Sequence, residues 1–214
     1  MVHIIHQDRS RATLAAPLPA KQARSRRTRD ALIAAGWKLL ARHAWEDITI
    51  GDLVEVAGVS VGSFYTRFKD KDAFFDSLCA EWIERRNAQR REPLARMKHD
   101  ADYAGETILR TYRSLMEHVN FWRAALMKGA GNPVFWKPFR ESALLVIDRV
   151  LELRARELGR PLTAEETRHV RFAFQMANGL INNSIVNRPG PILPGTPEFE
   201  TELVRGLKAV AGLA

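Results

Sequence analysis

The stretch AGVSVGSFYTRFKDK, Ala57 to Lys71, decides how this chain is read. Helical periodicity surrounds it, and a Gly-Val-Ser break interrupts that periodicity at Gly58–Ser60. Glycine reaches left-handed backbone angles cheaply, so Gly58 is a natural helix stop. Ser60 is a natural cap for the segment that follows, a short helix predicted over Val61–Phe68. Two short helices joined by a three-residue turn containing Gly form the helix-turn-helix unit, whose second helix enters the major groove of DNA.

The composition of that second helix suits the task. Val61, Gly62 and Ser63 are small and allow its N-terminus to approach a surface closely. Phe64 and Phe68, four residues apart, predict an inward face that pins the helix. Tyr65, Thr66 and Arg67 are expected to point largely outward, with Lys69 and Lys71 at the flank. Their hydroxyl, guanidinium and ammonium donors can reach phosphates or base edges. The same pattern also fits a corner in a helical bundle with ordinary solvated charges, and the residues alone leave both readings open.

Upstream, Leu32, Ala35, Leu39 and Leu40 recur at helical spacing from about Ser25, with Trp45 and Ile48 expected to fold back under the helix they follow. Thr49 followed by Asp52 is a capping-box signature opening a second helix, with Leu53, Val54 and Ala57 on its inner face. Asp70 can cap a long fourth helix carrying Phe74, Phe75, Leu78 and Trp82 and ending near Pro93. Further helices are predicted over 102–118, 121–128, 134–158, 164–187 and 197–213. Thr163 with Glu166 repeats the capping box, and Thr196 before Pro197 starts the last helix. No strand-like alternation of useful length, internal repeat or Cys/His metal spacing is present. The predicted fold class is all-α: three short N-terminal helices bearing the helix-turn-helix, then a larger helical bundle. The division expected is a flexible basic arm over 1–24, the DNA-binding unit over 25–71, and a ligand-binding and dimerisation domain over 72–214.

The bulk numbers agree with a binding protein. The 214 residues carry a net charge of +8, and residues 1–30 hold seven Arg or Lys against two Asp. Such a bias suits a polyanion or an anionic surface. The lone Cys79 cannot form an internal disulfide, and it sits in an apolar helical pattern that marks it as core. With no apolar run long enough to span a membrane and no signal peptide, the expectation is a cytoplasmic, nucleoid-associated protein without a membrane partner. Acidic residues are scattered over charged faces, and no nucleophile-and-base arrangement stands out, so no enzyme, catalytic residue, cofactor or metal is expected.

Arg29 to Leu78, RDALIAAGWKLLARHAWEDITIGDLVEVAGVSVGSFYTRFKDKDAFFDSL, resembles the N-terminal domain of the TetR family of transcriptional regulators. The shared features are the aromatic Trp45 after the first helix, Thr49 opening the second, then AGVS, FYTRF and KDKDAFF. The resemblance implies an all-helical homodimer of nine or ten helices. It implies double-stranded operator DNA as partner and release by a small-molecule ligand bound in the C-terminal domain. Carried over residue by residue, it makes Thr49 a phosphate contact and places Val61, Gly62, Ser63, Tyr65, Thr66 and Arg67 at the groove. Lys71 falls on backbone phosphate. Base reading then rests on Ser63, Thr66 and Arg67, with Arg67 carrying most of it. Ala44 departs from the Gly common at that point, and Val54 from the usual Ala. The arginines Arg24, Arg26, Arg27 and Arg29 either touch DNA or form a solubilising tail.

The remainder offers a candidate effector site for an apolar or aromatic molecule: Trp122, His118, Phe139, Gln175 and Asn178. Gln175, Asn178 and Asn182 share roughly one face of an otherwise apolar helix and fit a pocket, a dimer interface or a solvated face. Dimerisation is expected through 164–187 and 197–213, with Phe199, Leu203, Leu207 and Val210 as the stripe. The leading reading is a repressor released from a palindromic operator by ligand. The alternatives are an activator of the same fold and a structural protein that binds DNA without regard to sequence.

Overall fold

The computed structural model describes residues 20–91 and 96–213, and these are entirely helical apart from turns and loops. Helix α1, Ala20–Leu40, begins ahead of the Ser25 expected from periodicity and carries Arg24, Arg26, Arg27 and Arg29 exposed on its first turns. The rest of the anticipated arm, residues 1–19, lies outside the described residues. Leu32, Ile33, Ala35 and Leu40 of α1 are buried. At Gly36 a Cβ would stand 2.9 Å from the Phe74 ring, so only glycine lets α1 lie this close to the fourth helix.

A 3-10 turn, Trp45–Asp47, brings Trp45 and Ile48 under α1, as their apolar character predicts. Ala44 enters it at φ −68, an angle any residue adopts, so nothing in this turn requires a glycine there. Helix α2, Ile50–Ala57, opens on the expected capping box: Thr49 Oγ1 accepts from the Asp52 amide at 3.1 Å, and Asp52 Oδ2 accepts from the Thr49 amide at 2.7 Å. Gly58 closes it at φ 65. Helix α3, Val61–Tyr65, is capped by Ser60 and is shorter than the expected Val61–Phe68. Residues 66 and 67 form a turn, yet Phe68 is buried all the same. The chain then enters α4, Lys71–Arg91, through an Asp70 side chain that accepts from the Ala73 amide at 2.7 Å.

The larger bundle comprises α5 (Asp100–Glu117), α6 (Val119–Lys128), α7 (Lys137–Leu158), α8 (Ala164–Asn187) and α9 (Pro197–Ala211). Its axis is α5, which packs against α6, α7, α8 and α9 and buries Ala104, Ile108, Tyr112 and Leu115. At Gly105 a Cβ would stand 3.3 Å from Val204, so α9 lies close across α5 there. Thr163 and Glu166 form the second capping box, and Thr196 caps α9.

One expectation is corrected by this packing. Phe199, Leu203 and Leu207 are buried within the monomer, and Val210 is half-buried, so the α9 stripe serves the chain's own core. Phe199, for example, lies 5.0 Å from the Tyr112 ring of α5. Apolar residues left on the surface of the bundle include Leu144 and Leu145 of α7, and Phe172, Met176 and Leu180 of α8, the last three spaced four apart on one stripe. Among the described residues, no helix is long and apolar enough to cross a membrane.

Candidate functional site

The reading helix is held from behind by aromatic rings. Phe64, wholly buried, meets Phe68 at 5.4 Å and Phe74 of α4 at 5.7 Å, and Phe68 meets Phe74 edge-on at 4.9 Å. This wedge presents the opposite side of α3 to solvent. Val61 and Tyr65 are about half exposed, and Gly62 and Thr66 are exposed with them. A Cβ on Gly62 would meet nothing nearer than Ser60 Oγ at 3.9 Å, so the outer side of the helix is open at its first turn.

The three residues expected to read bases are all held by hydrogen bonds within the protein. The Ser63 hydroxyl lies 3.0 Å from that of its cap, Ser60. Thr66 Oγ1 donates back to the Gly62 carbonyl at 2.7 Å, leaving its lone pairs outward. Arg67 is only half-exposed: Nη1 donates to the Ser63 carbonyl at 2.7 Å and Nε to the Ser25 carbonyl of α1 at 3.2 Å. Its guanidinium is thus anchored across two helices, whereas the sequence suggested a free outward fork. Tyr65, with its ring edge-on to Phe64 at 5.5 Å, is the long side chain that stands clear.

The flanking phosphate candidates sit on either side of α3. Thr49 is exposed at the start of α2, where its hydroxyl also donates to Asp52 Oδ2 at 2.7 Å. Those bonds hold the Asp52 carboxyl below its ordinary pKa. Lys71 Nζ donates to the Trp45 carbonyl at 2.6 Å and lies 4.5 Å over the Trp45 ring. Burial there pulls the ammonium below its ordinary pKa against the opposing pull of Glu46 and nearby aspartates. Sequence reasoning assigned Trp45 to the core; its second role, holding Lys71, carries no sequence signal.

In the bundle, a cavity of about 330 Å³ gathers Trp122, Phe139 and Asn178 from the expected list. Trp82 of α4, Trp136, Asn182, Thr111 and Ser142 also line it, with Arg140 as its one cation among the described residues. The rings form a box: Trp82 stacks on Trp122 at 5.3 Å, and Trp136 meets Trp122 at 5.7 Å and Phe139 at 5.2 Å. Both indole N–H groups of the far wall are satisfied, Trp122 by Asn182 Oδ1 at 2.9 Å and Trp136 by the Gly129 carbonyl at 2.8 Å. Their faces therefore remain available to an apolar or planar guest, with the Asn178 and Asn182 amides as orienting groups. Asn178 donates to the Phe174 carbonyl at 2.8 Å.

Two expected residues fall elsewhere. Gln175 is exposed, one turn beyond the wall. His118 forms the joint between α5 and α6 at φ −114, edge-on to Trp37 of α1 at 5.5 Å, and lines a neighbouring cavity. Trp82 was assigned to the core of its helix, and Thr111 and Ser142 gave no sequence signal at all.

Helix α6 joins this cavity to the DNA-binding unit. Asn120 donates to the Leu40 carbonyl at the end of α1 at 3.0 Å, and Lys128 pairs with Asp76 of α4 at 3.3 Å. Trp122, on the same helix, forms the cavity wall. Cys79 is buried and its thiol pushed up to about 12, which leaves it an inert apolar residue.

Comparisons with known proteins agree with this layout. Residues 32–78 match the family model described as bacterial regulatory proteins, tetR family, which spans α1 to α4 and includes the whole helix-turn-helix. Among solved structures, the chain is similar to a TetR-family transcriptional regulator from Rhodococcus sp. (TM-score 0.63, 17% identity, covering 86% of this chain and 98% of that one). It is also similar to RolR in complex with resorcinol (0.61, 19%, 90% and 91%) and to FadR from Bacillus subtilis in complex with stearoyl-CoA (0.57, 18%, 86% and 95%). At these identities the likeness is one of fold. A comparison with curated proteins by sequence finds no match.

Proposed function

We propose that this chain, which carries the TetR-family DNA-binding domain at its N-terminus and the fold of that family's regulators throughout, is a cytoplasmic homodimeric repressor released from a palindromic operator by a small molecule in the aromatic cavity. The observation that carries it is the exposed Val61–Tyr65 helix, wedged from behind by Phe64 and Phe68 and connected to the cavity through α6. Tyr65, Thr66, Gly62 and Val61 face the groove in this reading, while Thr49 and Lys71 meet phosphates on either side. Arg67 reads a base edge after exchanging its bond to the Ser25 carbonyl for one to DNA. Two subunits related by a two-fold axis bring two reading helices to successive half-sites, so the operator mirrors the protein's symmetry. The exposed α8 stripe of Phe172, Met176 and Leu180 supports dimerisation there.

Release is a shift of populations. An effector between Trp122, Trp136 and Phe139 favours one placement of α6, and α6 holds the end of α1 through Asn120. The spacing of the two reading helices then changes, and effector and operator oppose each other by the same coupling free energy. Complexes of similar folds with resorcinol and with stearoyl-CoA support a small-molecule guest in this architecture. The test is a titration of the full chain against duplex libraries with random competitor, followed by an effector screen on the selected operator. Selection of an inverted repeat, and its loss on adding a cavity-binding compound, is the expected result. Equal affinity for all sequences, or operator binding indifferent to every cavity ligand, would overturn the reading.

A further inference from the structure

The polar groups lining the aromatic cavity differ in what each has left to offer a guest. Thr111 Oγ1 donates to the Thr107 carbonyl at 2.9 Å and accepts from Arg86 at 2.8 Å, and Ser142 Oγ donates to Asn87 Oδ1 at 2.7 Å. Those hydroxyl protons are spent. The indole N–H groups of Trp122 and Trp136 are spent as well. What remains lies on α8.

The partners of Asn178 and Asn182 fix which way each amide is turned. A backbone carbonyl only accepts, so the Phe174 carbonyl takes Asn178 Nδ2 and leaves Oδ1. An indole N–H only donates, so Trp122 takes Asn182 Oδ1 and leaves the Nδ2 protons. Among the described residues, neither Asn178 Oδ1 nor Asn182 Nδ2 enters another hydrogen bond. Both residues are half-buried and line the cavity. Helix α8 therefore offers one acceptor and, one turn on, one donor. Positions four apart on a helix are neighbours, with about 5–6 Å between their Cβ atoms.

The charge of the wall points to a neutral guest. Among the described residues no carboxylate lines the cavity, and Arg140 is its one cation. Arg140 is exposed and donates to the Pro133 carbonyl at 2.9 Å, so water competes for its charge. A cationic guest would gain from the ring faces but would meet Arg140 with no counter-charge beside it. An anion would face the negative side of the aromatic quadrupoles.

We infer that the effector is an uncharged fused-ring aromatic with a cyclic amide along one edge. Its N–H donates to Asn178 Oδ1, its carbonyl accepts from Asn182 Nδ2, and its rings lie among Trp122, Trp136 and Phe139. This rests on the aromatic cavity being the effector site. A lone hydroxyl would have to serve both amides from one atom, whereas a cyclic amide sets donor and acceptor side by side. A volume of about 330 Å³ is at the small end for ligand pockets and suits two fused rings. The carbonyl bond also bears on release: Asn182 holds Trp122 of α6 by its other end, and α6 holds the end of α1 through Asn120.

Isothermal titration of the full chain with 2-quinolinone, N-methyl-2-quinolinone, quinoline-2-carboxylate and N-methylquinolinium tests the inference. The first is expected to bind about tenfold more tightly than its N-methyl derivative, which leaves Asn178 Oδ1 against a methyl group. Both charged probes should bind more weakly than 2-quinolinone. Asn178→Leu should bring the two quinolinones within about twofold of each other, as a double-mutant cycle requires of a direct bond. Asn182→Asp keeps an acceptor for Trp122 but removes the donor, and should weaken both quinolinones about tenfold. The probe series on the unaltered chain decides even if a variant folds poorly. A tighter charged probe, an N-methyl derivative equal to its parent, or a ratio unmoved by Asn178→Leu overturns the inference. If the two quinolinones bind equally and both are lost in Phe139→Ala, the cavity stands as effector site and only the polar edge is refuted. Failure of every probe to bind overturns the inference, and the operator titration then judges the regulator reading separately.

Discussion

Substitution of Gly62 by alanine separates the stability of the reading helix from its fit to DNA. Gly62 is the second residue of α3 and has an ordinary negative φ. The added methyl would meet nothing nearer than 3.9 Å, so the folded state gives up nothing, while the unfolded chain loses freedom. The expected gain is about 0.5–1 kcal/mol, a rise in melting temperature of roughly 1–4 °C for a chain of this size. On DNA the same methyl stands on the outer side of a helix whose small first turn permits close approach. An extra methyl in a close-packed contact costs about 1–3 kcal/mol, so operator affinity should fall roughly tenfold or more. Thermal unfolding and fluorescence anisotropy with a labelled operator measure the two effects on one sample. A destabilised variant would refute the open space at Gly62. A stabilised one with unchanged operator affinity would refute the placement of this face in the groove.

Arg67→Ala should change the ranking of operators in a binding selection, whereas Lys71→Ala should weaken all duplexes alike and lower the salt dependence of binding. An equal loss on all sequences for Arg67→Ala would refute its reading role. Glu166 is held at about 2 by Arg160 and the Thr163 amide, so its pairing contributes stability above the ordinary carboxylate range, and that contribution is lost as pH falls from about 4.5 toward 2. Urea midpoints measured against pH should therefore show a shallower acid limb in Glu166→Gln. Phe172→Glu with Met176→Glu places charge on the exposed α8 stripe and should yield folded monomers by sedimentation; a persistent dimer would locate the interface elsewhere.

Local chemistry made much of this fold legible. Thr49 with Asp52, Gly58, Ser60 and Thr163 with Glu166 each act within one helical turn, and each appears where the sequence put it. Periodicity also marked Phe64 and Phe68 correctly as inward, but it overextended α3, because Phe68 is buried from a turn as effectively as from a helix. The α9 stripe illustrates a second limit. Spacing shows which face is apolar and cannot say whether α5 of the same chain or a second subunit covers it. Gln175 shows a third: angle around α8 is readable, but how far along the helix a cavity extends depends on α6 and α7. Arg67 is legible as a cation, whereas its anchorage to Ser25 joins residues 42 apart in sequence.

The five tryptophans of this chain are distributed so that its own ultraviolet emission resolves its parts. Trp37 and Trp45 both belong to the DNA-binding unit, Trp37 against His118 at the joint and Trp45 with the Lys71 ammonium against its ring. Trp82, Trp122 and Trp136 lie within 5.3 and 5.7 Å of one another in succession, close enough that light absorbed by one indole is shared by all three. A guest that quenches any member darkens the trio together while Trp45 continues to emit. The molecule thus contains an optical record of whether the aromatic cavity is occupied, readable without any label attached to it.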